Sequence, residues 1–143
     1  MAKRKQPTHE TFEAAAAHGK FTKVADSMMD SQAWLSLSLS QMGLYLLLKR
    51  KYTKYKAGDD NRKNISFPRS EYSQFYSNNR TFWRDLDALI EAGFIEVISN
   101  GKNTRTPTIY GFCDAWKDYG TPGFEIHPSQ RRAAAPQRKT VFE

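Results

Sequence analysis

Apolar residues recur at helical spacing along residues 79–93. Phe82, Leu86, Leu89 and Ile90 fall at i, i+4, i+7 and i+8, which lines one side of a helix with apolar side chains. Gly93 supplies its C-terminal stop. Ser77-Asn78-Asn79 precedes it as a turn, because asparagine tolerates left-handed backbone and caps helices. After the helix, residues 94–98 read as a strand, Asn100-Gly101 as a hairpin signal and residues 107–113 as the returning strand. Before it, Ile65-Ser66-Phe67 alternates like a short strand closed by Pro68. Ser70 is the expected cap of a short helix over residues 71–76, with Tyr72, Phe75 and Tyr76 as its aromatic side.

The N-terminal half is helical in pattern. Residues 21–24 are a short apolar stretch, read as a candidate strand. Asp26-Ser27 offers a cap, and Ser27 with Asp30 fits a loose capping box. The helix that follows carries Met28, Met29, Ala33 and Trp34, and the polar residues 36–40 break it. Ser38 or Ser40 then caps a longer helix over residues 41–52. Met42, Leu44, Tyr45, Leu46, Leu47 and Leu48 make it apolar almost all round, so it is expected at the centre of the core. Lys49-Arg50-Lys51 suits its C-terminus. Residues 55–64 form a polar loop, and residues 114–119 a last helical turn anchored by Trp116.

The order of these elements predicts an α+β fold, a winged helix-turn-helix. A short helix and a tight turn before an amphipathic helix make a helix-turn-helix. The strand at residues 65–67 and the hairpin make a small antiparallel three-stranded sheet closing a three-helix core. The domain spans residues 21–119. Residues 1–20 read as a basic arm with a short helix over 8–18, and residues 120–143 as a basic disordered tail rich in Pro, Gly, Ser and Ala.

Charge turns this fold towards a partner. The 143 residues carry a formal net charge of +7 and a pI of about 9.6. A chain this basic is drawn to polyanions, with nucleic acid first and an anionic membrane surface second. No apolar run approaches the ~18–20 residues of a membrane span, and the basic start lacks the apolar stretch of a signal peptide. The cytoplasm is the expected compartment. The single cysteine, Cys113, leaves no internal disulfide and no cysteine-rich zinc site. His9, His18 and His127 are isolated, Asp85 and Asp87 point to different sides of their helix, and no Gly-rich phosphate loop is present. Neither an enzyme nor a cofactor is expected.

The side of residues 79–93 opposite the apolar stripe carries Arg80, Thr81, Trp83, Arg84 and Asp87. In a helix-turn-helix the N-terminal part of the second helix enters the major groove, where arginine bonds guanine bidentately and asparagine bonds adenine. Asn78, Asn79, Arg80, Thr81 and Arg84 are therefore the candidate base or phosphate contacts. An ordinary solvated face with Arg84 paired to Asp87 is the alternative. Trp83 is open between stacking on a sugar, packing on a neighbour and a dimer interface. The hairpin tip, with Lys102, Asn103 and Arg105, suits phosphate or a narrow minor groove. Arg69 and Ser70 precede the first helix of the motif, where phosphate contacts fit.

Three stretches, DSQAWLSLSLSQMGLYLLLKRKY, ISFPRSEYSQF and NNRTFWRDLDALIEAGFIEV, resemble winged-helix domains of plasmids and conjugative elements of Gram-positive bacteria. That family includes plasmid-transfer (TcpK-like) and replication-initiator-like proteins. The resemblance covers about residues 21–119. It implies double-stranded DNA as partner, at an origin of transfer or replication or in regulation, alongside other proteins of such a complex. It gives the recognition-helix role to Asn79, Arg80, Thr81 and Arg84, and the wing role to Lys102 and Arg105. A transcriptional repressor and a protein-binding winged helix remain open beside it, as does a homodimer.

Overall fold

The structure, a computed structural model, describes residues 22–52, 60–101 and 106–132. Its long helix α5 (Asn79–Glu91) lies where the apolar period puts it. Phe82, Leu86, Leu89 and Ile90 are at most 1% exposed, and burying each such side chain is worth about 2 kcal/mol. Asn78 caps the helix by accepting from the Thr81 N–H at 2.9 Å. At the other end Gly93 has φ 86°. Its N–H donates to Ile90 O and the Phe94 N–H donates to Leu89 O, both at 3.0 Å, which is the Schellman closure of a helix.

Five α-helices and a three-stranded antiparallel sheet make up the α+β architecture of the described residues. Helix α3 (Leu39–Lys49) packs against α5. Ser38 and Gln41 close a reciprocal capping box at its start, so the helix begins two residues earlier than the sequence pattern placed it. Strand β1 (Ile65–Ser66) pairs with β3 (Ile109–Phe112), which pairs with β2 (Ile95–Ser99). Register runs Ile65 to Tyr110 and Ile95 to Phe112, with an irregularity between Val97 and Ser99. The core lies between this sheet and α3 and α5. At one end Trp34, Tyr45, Phe94 and Phe112 meet edge to face; at the other, Tyr72 stacks on Phe82 at 3.9 Å.

Several elements differ from their sequence-based reading. Residues 22–24 form no strand. The helix expected after Ser27 is two single turns, α1 (Asp26–Met29) and α2 (Gln32–Leu35). Ser31 splits them: its hydroxyl donates to Met28 O and accepts from the Trp34 N–H, so it ends one turn and caps the next. Ser27 caps nothing, since Ala25 precedes α1 without a side-chain cap. Helix α4 (Arg69–Tyr72) starts before Ser70, with Pro68 at its N-cap. Ser70 is thus the second helical residue rather than the cap. Proline suits that place because its own missing N–H is not called on there.

The largest difference is at the C-terminal side. Residues 120–132 are not a solvated tail. Ile126 is 8% exposed within the core, and Tyr119 meets Phe124 edge to face at 5.2 Å. A 3-10 turn at Pro128–Gln130 packs on β2. Gln130 Oε1 accepts from the His127 N–H, and Gln130 Nε2 donates to Glu96 Oε2 at 2.8 Å. Two apolar residues, Phe124 and Ile126, among Pro, Gly and Ser leave no period to read, yet they suffice to hold the segment once a cleft is there to receive them. The proposed N-terminal arm and residues 133–143 lie outside the described residues.

Candidate nucleic-acid interface

Helix α5 turns two unlike sides outwards and inwards because its period is clean. Arg80, Arg84, Asp87 and Glu91 follow one another at i, i+4, i+7 and i+11, so they share the outward side. Arg80 and Arg84 are exposed. Among the described residues neither forms an ion pair. The alternative Arg84–Asp87 pair does not form. Asp87 is instead gripped by Arg132, whose Nε and Nη2 donate to its two carboxylate oxygens at 2.6 Å each. That bond raises the Arg132 pKa further.

An open groove of about 900 Å³ runs beside this helix towards the hairpin base. Arg80, Trp83, Arg84, Asp87 and Arg132 line it, together with Gly101 and Thr108 of the hairpin. Gly101 is required there, because a Cβ would lie 1.7 Å from Thr106 O. The hairpin signal Asn100-Gly101 thus marks a close backbone crossing. Lys102, Asn103 and Arg105 lie outside the described residues.

The other expected contacts fare differently. Asn78 uses its Oδ1 for the cap, accepting also from the Thr81 hydroxyl at 3.0 Å. Asn79 Oδ1 accepts from the Tyr72 hydroxyl at 2.9 Å. These three side chains therefore fasten the turn to the helix. Trp83 is half-buried, against Phe82 and Tyr72, and the Arg132 guanidinium sits 4.5 Å over its ring. Arg69 and Ser70 are exposed at the start of α4. Arg132 is the groove residue that sequence reasoning missed, and Arg131 beside it pairs with Glu91. Their neighbours Asp87 and Glu91 sit at i, i+4, as the two arginines' targets, but nothing local connects segments so far apart.

Most other cations near the sheet are structural. Arg62 bonds Asp114 at 2.9 Å, and that bond holds the Asp114 carboxyl below its usual range. Lys63 pairs with Glu96, and Lys51 with Glu71. Lys49 lies 5.1 Å over the Tyr52 ring and 5.3 Å over that of Phe112; burial lowers its pKa. Cys113 is half-buried, its thiol donating to Gly93 O, and burial pushes its pKa up to about 11. A thiol so held is a packing residue rather than a nucleophile.

Among the described residues no group of three or more His, Cys, Asp or Glu is placed to hold a metal ion. No helix among them is long and apolar enough to cross a membrane. No protein-family model matches the chain, and neither a curated protein nor a solved structure matches it at a significant level.

Proposed function

We propose that the chain binds double-stranded DNA as a winged helix-turn-helix, with α5 as the recognition helix and the β2–β3 hairpin as the wing. The observation that carries this reading is the pair Arg80 and Arg84. Both are exposed on the outward side of α5, one turn apart, beside a groove that leads to the hairpin base. A major groove accepts a helix presented this way, and arginine is its commonest reader of guanine. The net charge of +7 adds the sequence-independent attraction that draws such a protein to phosphate. Lys102, Asn103 and Arg105 at the hairpin tip are the proposed wing contacts, and Arg69 with Ser70 the flanking phosphate contacts.

In this reading the protein is a binding module and not an enzyme, and works in the cytoplasm without a cofactor. The resemblance to plasmid and conjugative-element domains supports a place beside an origin of transfer or replication, among other proteins of that complex. A transcriptional repressor would use the same side chains. Selection of bound duplexes from a random pool tests the reading. Enrichment of one sequence supports it, and the position of that sequence, at an origin or over a promoter, separates the two roles. An unenriched pool with weak binding at every sequence overturns it in favour of protein contact.

A further inference from the structure

The outward side of α5 carries two carboxylates as well as two arginines, and a polyanion would be repelled by the first pair. The returning C-terminal segment meets both. Arg132 is bidentate on Asp87, and Arg131 donates to the two oxygens of Glu91 at 2.6 and 3.2 Å. The Arg132 side chain is 30% exposed and is the better shielded of the two arginines. It also covers the Trp83 ring, so it is fixed by a carboxylate on one edge and an aromatic face below. The segment that delivers it is anchored independently, by Ile126 in the core and by Gln130 on Glu96.

We infer that Arg132 is a positioning residue of the nucleic-acid surface. It cancels the Asp87 carboxylate, so that the groove beside Arg80 and Arg84 receives a phosphodiester backbone without a facing negative charge. This inference rests on the DNA-binding reading and adds a residue 45 positions away from the helix residue it serves. Bidentate arginine–carboxylate geometry is well suited to the task, since the fork fixes direction as well as charge. Lysine lacks that fork.

Binding of a long mixed-sequence duplex at low salt, where phosphate contacts dominate, tests it with four proteins: the parent, Arg132→Ala, Asp87→Asn and Arg132→Ala with Asp87→Asn. Arg132→Ala should bind roughly tenfold more weakly, the scale of one uncompensated like charge near a phosphate. Asp87→Asn should bind at least as tightly as the parent. The double variant should recover to within about threefold of Asp87→Asn, since the charge at residue 87 is then gone. Both proteins that contain Arg132→Ala lack the same ion pair, so any loosening of the C-terminal segment is common to them. If the double variant stays as weak as Arg132→Ala, Arg132 is a direct phosphate ligand or a structural tie, and the inference is overturned. Equal binding by Arg132→Ala and the parent overturns it as well. A parent that binds no duplex overturns the DNA-binding reading, and this inference with it.

Discussion

The Tyr76 hydroxyl donates a 2.9 Å hydrogen bond to Oδ2 of Asp85, a carboxylate with no exposed surface on the inward side of α5. Burial first, and then the Asp85 bond, push the tyrosine pKa well above its usual range. Oδ1 of the same carboxylate accepts no hydrogen bond among the described residues. Tyr76→Phe would leave both oxygens of a buried carboxylate without a donor. Removing one partner of a buried polar pair costs about 1–3 kcal/mol, and more where the survivor is charged. Urea unfolding of Tyr76→Phe should show a loss of about that size. A variant as stable as the parent would mean that this bond does not form.

Gly93 joins α5 to β2 in left-handed backbone. A Cβ there would lie 2.6 Å from Trp116 N and 2.8 Å from Ala115 C, both main-chain atoms. Gly93→Ala therefore meets strain and a backbone clash together. The left-handed conformation alone costs a non-glycine residue about 1–2 kcal/mol, so thermal unfolding should fall by more than that conformational cost. The Trp116 N–H donates to Gly93 O at 3.1 Å, so the variant should also perturb the stacking of Trp116 on Phe94. A change in near-ultraviolet circular dichroism would report it.

Arg84 and Lys102 are expected to separate base reading from phosphate contact. Arg84→Ala should cost about 1–3 kcal/mol at the selected sequence and relax preference at one base position. Lys102→Ala should weaken all duplexes alike and reduce the slope of log affinity against log salt by about one. Titrations over a salt series distinguish the two. Parent-like behaviour of both variants would remove α5 and the hairpin from the DNA surface.

Glu96 links stability to pH. Its burial works to raise the carboxyl pKa, but hydrogen bonds from Lys63 and Gln130 outweigh it and leave the pKa below the usual value. The folded state therefore releases this proton more readily than the unfolded chain. Its stabilisation is fully present above the unfolded pKa of about 4.3 and is lost as pH falls through the depressed folded value. Asp114, lowered by Arg62, adds a contribution of the same sign. Acid titration of the unfolding midpoint should fall more gently for Glu96→Gln than for the parent, with Asp114 supplying part of the remaining slope. An unchanged slope would show that Glu96 is not coupled to folding.

Much of the fold is legible because it is local. Phe82, Leu86, Leu89 and Ile90 state a helical period, Gly93 states its end, and both hold in the structure. A β2–β3 hairpin follows the Asn100-Gly101 signal, although Gly101 lacks the positive φ of a tight turn and β3 begins only at Ile109, and Ile65 finds its partner strand because alternation exposes one apolar edge. Arg80 and Arg84 are legible as outward residues for the same reason: whatever is not on the apolar side of a regular helix faces away from the core.

Tertiary structure decided what that outward side presents. Asp87 pairs with Arg132 rather than with Arg84, and no spacing rule links two residues 45 positions apart. The side-chain oxygens of Asn78, Asn79 and Thr81 are engaged in the turn and the cap, because side-chain oxygens go to the nearest unsatisfied donor once the helix start is fixed. Ile126 has only Phe124 as an apolar neighbour in the sequence, too little to state a period, so its burial depends on the cleft that the rest of the chain builds. Sequence alone determined α5, the three strands of the sheet and which side of α5 is apolar, since those follow from neighbours a few residues apart. The charge on the other side was set only when a distant segment closed over it, because ion pairing follows distance in space and not distance along the chain.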